Sequence, residues 1–363
     1  MKRIVLIFFK IVLPLAIVGW LLNKATQDDS FSRLWNDPKD WTRLGCAVVL
    51  TFAAVFVTFL RWYLLVRALD LPFRIADAFR LGFLGYLFSF IALGNVSGDL
   101  FKAVFIAREQ PGRKGAAVSS VIVDRLIGLY ALFLVVFAAF CFTDVGQAAK
   151  NSDQFRPAYY GVLICTIIGG VAGLVFLIPA LTDGAWAKKI ESIPKVGRFI
   201  ESIHNAIRMY RSRQKVLWLA LFISIIVHCS MATTYYLIAT GLPGQAPSYA
   251  SHFIIAPLST LVAILPVMMN GLGVQETATK AIYASIPSDV AVTPGLGLLV
   301  SLTYRVMTLL VAGIGAIYYL SRRREVAIVM HDVEESLEPH ESAEAAVRDD
   351  EKDGNSVAIL KSA

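Results

Sequence analysis

Gly94-Asn95-Val96-Ser97-Gly98-Asp99, followed by Arg125, and Asn270-Gly271-Leu272-Gly273-Val274-Gln275-Glu276, followed by Arg305, each set a polar glycine break and charged residues into apolar surroundings. A charge at membrane depth is costly unless it is paired, hydrated or used, so the doubled pattern points to a pathway or binding site inside a membrane protein. Composition agrees. Hydrophobic residues make up 56% of the chain and charged residues only 17%, well below the roughly 25% of a soluble domain.

Around the two breaks lie six apolar runs long enough, or nearly so, to cross about 30 Å of hydrocarbon. They are Ile4 to Leu22, Leu44 to Val66, Leu126 to Phe142, Tyr159 to Leu181, Val216 to Ala239 and Gly295 to Leu320. Two further apolar regions end at the breaks: Phe79 to Leu93, and Phe253 to Met269 with Pro266 inside it. Lys2 and Arg3, then Arg67, Arg74 and Arg80, then Lys188 to Lys215, then Arg322 to Arg324 mark the cytoplasmic loops by the basic-loop rule. Six crossings with both termini in the cytoplasm satisfy that pattern. Lys2-Arg3 before an apolar run is also the opening of a signal peptide, but no small-residue cleavage pattern follows, so the run is read as a retained first span.

Each interrupted region must then add an even number of crossings. The expectation is an all-α polytopic membrane protein with six spans and two broken or re-entrant helical hairpins, eight transmembrane helices when the hairpins are counted with the spans. One hairpin, Asp77 to Lys114, enters from the cytoplasm, and the other, Tyr249 to Thr293, from outside. Opposed broken hairpins would meet near the middle of the bilayer, as in the inverted repeats that build transporter sites from discontinuous helices. Gly94, Gly98, Gly271, Gly273 and Pro266 mark the hairpin breaks, and close helix packing through small residues is the plainer role for Gly94 and Gly98.

Asp124 and Arg125 are adjacent and diverge by about 100° on a helix, so they do not simply pair with each other. Arg125 can meet Asp99, and Arg305 can meet Glu276, across separations of 26 and 29 residues. Either these are static pairs that hold the hairpins, or Arg125 and Arg305, with Asn95 and Asn270, bind phosphate while Asp99, Glu276 and Asp124 balance or gate them. Arginine suits phosphate because its planar fork donates two hydrogen bonds and keeps its charge in a dry site. Arg80, Lys102 and Arg108 read as a cytoplasmic basic mouth that attracts anionic lipid. Arg61, beside Trp62 and Tyr63, reads as a snorkelling residue of an interface belt. Ile193 to Lys215 mixes isoleucines with Lys and Arg, as does a basic amphipathic helix on the inner leaflet.

Enzyme chemistry finds no support. Cys46, Cys141, Cys165 and Cys229 are scattered without a CxxC pair, so neither a metal site nor a disulfide framework is expected. No Walker motif and no other cofactor signature is present. His228, within a span, is expected to hydrogen-bond a neighbouring helix rather than relay protons. The basic pI of about 9.2 reflects membrane orientation and calls for no nucleic acid. Residues 1–321 form the membrane domain. Residues 322–363, with six Lys/Arg against eleven Asp/Glu, read as an acidic, disordered cytoplasmic tail.

In this order Arg61, Asn95 to Asp99 with Lys102, Asp124-Arg125-Leu126-Ile127-Gly128-Leu129, Pro266, Asn270 to Glu276 and Arg305 resemble the lysylphosphatidylglycerol synthase transmembrane region family, also described as flippase-like or UPF0104 membrane proteins. The resemblance spans roughly residues 5 to 320. It implies a bacterial inner-membrane protein related to the lipid-translocating part of aminoacyl-phosphatidylglycerol synthases, whose relatives are associated with movement of phospholipids, isoprenoid lipids and hopanoids. The large soluble aminoacyl-transfer domain of the bifunctional synthases has no counterpart in this sequence, so synthesis of lysylphosphatidylglycerol is not expected. The expected function is a flippase or scramblase for a phosphate-bearing or other polar lipid, with membrane lipids, anionic or polyprenyl phosphate, as partners. The alternatives are a secondary transporter of an ion or small solute, or a noncatalytic membrane scaffold. The small residues permit a homo-oligomer without requiring one.

Overall fold

A computed structural model describes residues 34, 36–91, 95–178, 208–264, 273–293 and 295–321. The expected first span, most of the basic amphipathic segment, the tail from 322, and Gly94, Pro266, Asn270 and Gly271 lie outside the described residues. Contacts divide the chain into a unit of residues 1–318 and a unit of residues 319–363. Of the second unit only 319–321 are described.

The described residues fold as helices α1 (Trp41–Ala68), α2 (Ile75–Ile91), α3 (Asn95–Glu109), α4 (Lys114–Phe142), α5 (Asp144–Asn151), α6 (Arg156–Leu177), α7 (Gln214–Gly241), α8 (Tyr249–Ile264), α9 (Val274–Ser285) and α10 (Leu296–Ser321). Five of them, α1, α4, α6, α7 and α10, are long and apolar enough to cross a membrane. The chain is a multi-pass membrane protein. Helix α4 begins well before the apolar run expected from Leu126, because the charges of Asp124 and Arg125 are met by partners on other helices, and helix continuity requires no apolar side chain where a charge is paired.

The long helices α1 and α7 lie antiparallel along each other. At one end the amide of Asp40 donates to the Gly241 carbonyl at 3.0 Å and Arg43 to the Thr240 carbonyl at 3.2 Å. At the other end the Tyr210 hydroxyl donates to the Leu65 carbonyl at 3.0 Å and Arg213 meets Asp70 at 3.1 Å. Burial first, then the Asp124 carboxylate, raises the Tyr210 phenol well above its ordinary pKa and keeps it a donor.

Local chemistry places the helix ends. Asp40 caps α1 by accepting from the Arg43 amide at 3.1 Å. At the far end of α1, Asp70 takes a positive φ of 53°, and Arg113 donates to the Leu69 and Asp70 carbonyls at 2.8 and 3.2 Å, covering acceptors that the helix leaves open. Thr143 closes α4 and caps α5, accepting from the Gly146 amide at 3.0 Å. A side chain at Gly146 would stand 2.1 Å from the Ala139 carbonyl, so this corner requires glycine.

Helices α2 and α3 form one hairpin and α8 and α9 the other. The open end of the first is at the Asp70/Arg213 end of the molecule, where Gln110 donates to the Pro72 carbonyl at 2.9 Å and Arg80 pairs with Glu109. The open end of the second is at the opposite end, where the Thr293 amide donates to the Gln245 carbonyl at 3.1 Å and Gln154 reaches Ser285 at 2.6 Å. The hairpins therefore enter from opposite sides. The order long helix, hairpin, long helix occurs twice, as α1 to α4 and as α7 to α10, with α1 and α7 antiparallel. This is the arrangement of an inverted repeat. Helix α6 packs against α4 through Tyr130, whose ring fills the space beside Gly169, and turns Ile164, Ile167, Ile168 and Val171 outward.

Candidate functional site

Both hairpins end at one cavity of about 310 Å³. Ser89 and Phe90 from the inner end of α2, Asp99 from the start of α3, Ile264 from the end of α8 and Gln275 from the start of α9 line it, together with residues of α1, α4, α7 and α10. Arg125 stands eleven residues beyond Lys114 along α4, about 16 Å at about 1.5 Å per residue, so the cavity lies deep between the ends of the spans.

Three carboxylates face four cations at or just behind its wall. Arg61 is 5% exposed and holds Asp124 with two parallel hydrogen bonds, Nε to Oδ1 at 2.8 Å and Nη2 to Oδ2 at 3.0 Å, while Nη1 donates to Ser224 at 2.7 Å. Trp62 beside it is also buried, with its ring 5.2 Å from that of Phe73. The snorkelling expectation for Arg61 is therefore overturned, because Asp124 neutralises the guanidinium inside the bundle. Gly128 makes the space: a Cβ there would lie 3.2 Å from Arg61 Nη1. The Gly128 carbonyl accepts from His228 Nε2 at 2.9 Å, the interhelical bond expected of that histidine.

Arg305 and Glu276 form the second buried pair, Nε to Oε1 at 2.8 Å. Glu276 Oε2 accepts the Gly273 amide at 2.7 Å, so the same side chain caps α9 and holds α10. Gly273 adopts φ 82°, a conformation that glycine takes without strain. Arg305 Nη2 also donates to Gln275 at 3.1 Å, and Gln275 donates to the Tyr235 hydroxyl at 2.9 Å. This network ties α9 to α7 and α10.

The third cluster is more open. Asp99 Oδ1 lies 3.4 Å from Lys102 Nζ, and Oδ2 lies 3.4 Å from Arg125 Nη1. The Arg125 side chain remains 43% exposed and that of Lys102 only 12%. Lys102 also sits over the Trp62 ring at 5.6 Å. The sequence grouped Lys102 with Arg80 and Arg108 as a mouth. In the structure Lys102 lines the cavity, whereas Arg80 pairs with Asp77 and Glu109 at the hairpin's open end and Arg108 is exposed.

Asn95 begins α3. Gly98 meets the packing role expected of it: a Cβ there would lie 2.1 Å from Ser89 Oγ and 2.2 Å from the Gly85 carbonyl, so α2 and α3 touch through their glycines. Tyr86, Tyr304 and His228 also line the cavity, and residue type alone gave no sign of that role, whereas Gln275 belongs to the second polar glycine break. Arg61 did carry a signal, an arginine directly after the apolar run Phe56 to Leu60. No group of three or more His, Cys, Asp or Glu that could hold a metal occurs among the described residues.

A family model described as the lysylphosphatidylglycerol synthase TM region matches residues 5–316. The chain belongs to this family. Comparison with curated proteins and with solved structures gives no match. The match to the lysylphosphatidylglycerol synthase TM region takes in both hairpins and every described residue that lines the cavity.

Proposed function

We propose that this protein moves a phosphate-bearing or other polar lipid between leaflets of the bacterial inner membrane, with both termini in the cytoplasm. It would do so as a flippase or scramblase and not as an enzyme. The observation that carries this reading is the convergence of two opposed broken hairpins on one deep cavity with a surplus of positive charge. Arg61 and Arg305 are matched by Asp124 and Glu276, while Lys102 and Arg125 share the single carboxylate of Asp99. A head group entering hydrocarbon loses its water, and fixed cations replace part of that hydration. A volume of about 310 Å³ is at the lower end of ligand sites, roughly 300 Å³ and upward, which suits a head group whose acyl chains stay in lipid. Membership of the lysylphosphatidylglycerol synthase TM region family supports the same reading.

Purified protein in proteoliposomes is tested with labelled anionic, zwitterionic and isoprenoid phosphate lipids. The expected result is transbilayer movement above protein-free vesicles, reduced at least about tenfold by Arg125→Ala, equivalent to about 1.4 kcal/mol, with the variant still folded. Intact protein that moves none of these lipids rejects the reading, and flux of a tail-free ion would favour a solute transporter instead.

A further inference from the structure

The three carboxylates at the cavity are not held alike. Asp124 accepts two short bonds from one guanidinium, and Glu276 accepts one from Arg305 and one from a backbone amide, all between 2.7 and 3.0 Å. Among the described residues Asp99 has a single contact on each oxygen, both at 3.4 Å, well beyond the roughly 2.7–2.9 Å of a strong charge-assisted bond. Its side chain is 24% exposed, against 10% for Asp124 and none for Glu276. Its lysine partner is nevertheless held in place. A Cβ on Gly85 would come within 2.8 Å of Lys102 Cε, so the lysine stem runs over bare glycine backbone, with Trp62 beside its ammonium.

We infer that Asp99 is a resident counter-anion, displaced from Lys102 and Arg125 by the phosphate oxyanion of the transported molecule. The inference rests on the lipid-translocation reading and names the ligands of that same site. Exchange is chemically favourable for the arriving group. A phosphate diester presents two oxygens to the Arg125 fork, where the Asp99 carboxylate uses one contact, and its single negative charge matches the surplus of one positive charge. Asp99 belongs to α3 and Arg125 to α4, so the exchange also unties the first hairpin from the long helix beside it. The second hairpin has no such release, because Glu276 is fixed by the Gly273 amide as well as by Arg305. The first hairpin is thus the element that responds to substrate.

The test measures binding of dihexanoyl phosphatidylglycerol and, separately, inorganic phosphate to the full-length protein in detergent, together with lipid movement in vesicles. Asp99→Asn is expected to bind the short-chain lipid about tenfold tighter and to move lipid more slowly, since the bound anion then has no competitor. Asp99→Glu should restore affinity toward wild type, and Lys102→Ala should weaken it. In wild-type protein, infrared difference spectra on adding the lipid should contain a carboxylate band change that Asp99→Asn lacks. Folded Asp99→Asn with equal or weaker binding overturns the inference, as does the absence of any carboxylate change in wild type, a result that does not depend on the variant folding. Lipid movement that persists in such a case leaves the translocation reading standing. Tighter phosphate binding by Asp99→Asn without any lipid movement supports the counter-anion and rejects the lipid. Absence of both binding and movement overturns both.

Discussion

At the scale of single residues, the membrane interior is held by pairs whose members arise far apart in sequence. Arg61 and Asp124 are 63 positions apart and meet inside the bundle with both guanidinium edges in use. Removing one partner strands a buried charge, so Arg61→Ala is expected to cost roughly 3–5 kcal/mol, while the double replacement Arg61→Met with Asp124→Leu should recover most of it. Thermal unfolding of the purified variants checks this; equal losses in the single and double variants would mean that the pair is not the source of the cost. Glu276→Gln keeps a side chain able to accept the Gly273 amide but removes the charge opposite Arg305, and should cost roughly 1.5–3 kcal/mol by the same measurement. The Arg305–Glu276 pair was legible in the sequence because both residues belong to one hairpin-and-span unit. Arg61 reads from sequence as an interface residue because nothing near it in the chain announces Asp124.

At the scale of elements, glycines divide by what stands beside them. Gly98 and Gly85 bring α2 and α3 into backbone contact, and Gly315 brings α10 against α2, where a Cβ would lie 2.3 Å from the Phe83 carbonyl. Backbone cannot move aside as a side chain can. Gly98→Ala is therefore expected to destabilise by roughly 1–3 kcal/mol and to splay the first hairpin. Gly313, with nothing within 4 Å, is its control: Gly313→Ala should be neutral or stabilising by up to about 1 kcal/mol through helix propensity. Unfolding temperatures that fall equally for both would remove the distinction. The sequence marked Gly98 as a break and a packing residue. It did not single out Gly85, Gly128 or Gly315, because a glycine's importance depends on the neighbour it admits.

At the scale of the whole molecule, the antiparallel α1/α7 pair and the opposed hairpins require two chemically distinct ends. Single cysteines placed at Arg74 and Arg213 in a background lacking Cys46, Cys141, Cys165 and Cys229 should label from one side of the membrane. Cysteines at Gln147 and Gln245 should label from the other, read with a membrane-impermeant maleimide on sealed and opened vesicles. Labelling of all four from the same side would contradict the inverted arrangement.

The sequence by itself determined the membrane class, the apolar cores of the five described spans and the opposed entry of the hairpins. These follow from run length, charge bias and helix-breaking residues, all of which act locally or through the bilayer as solvent. Only the tertiary structure decided which charges neutralise one another: that Arg61 turns inward to Asp124, that Lys102 lines the cavity, and that Asp99 is shared while Glu276 is fixed. Pairing in a dry interior depends on which helix faces are brought together in three dimensions, and a separation of 63 positions leaves no periodic trace in the chain.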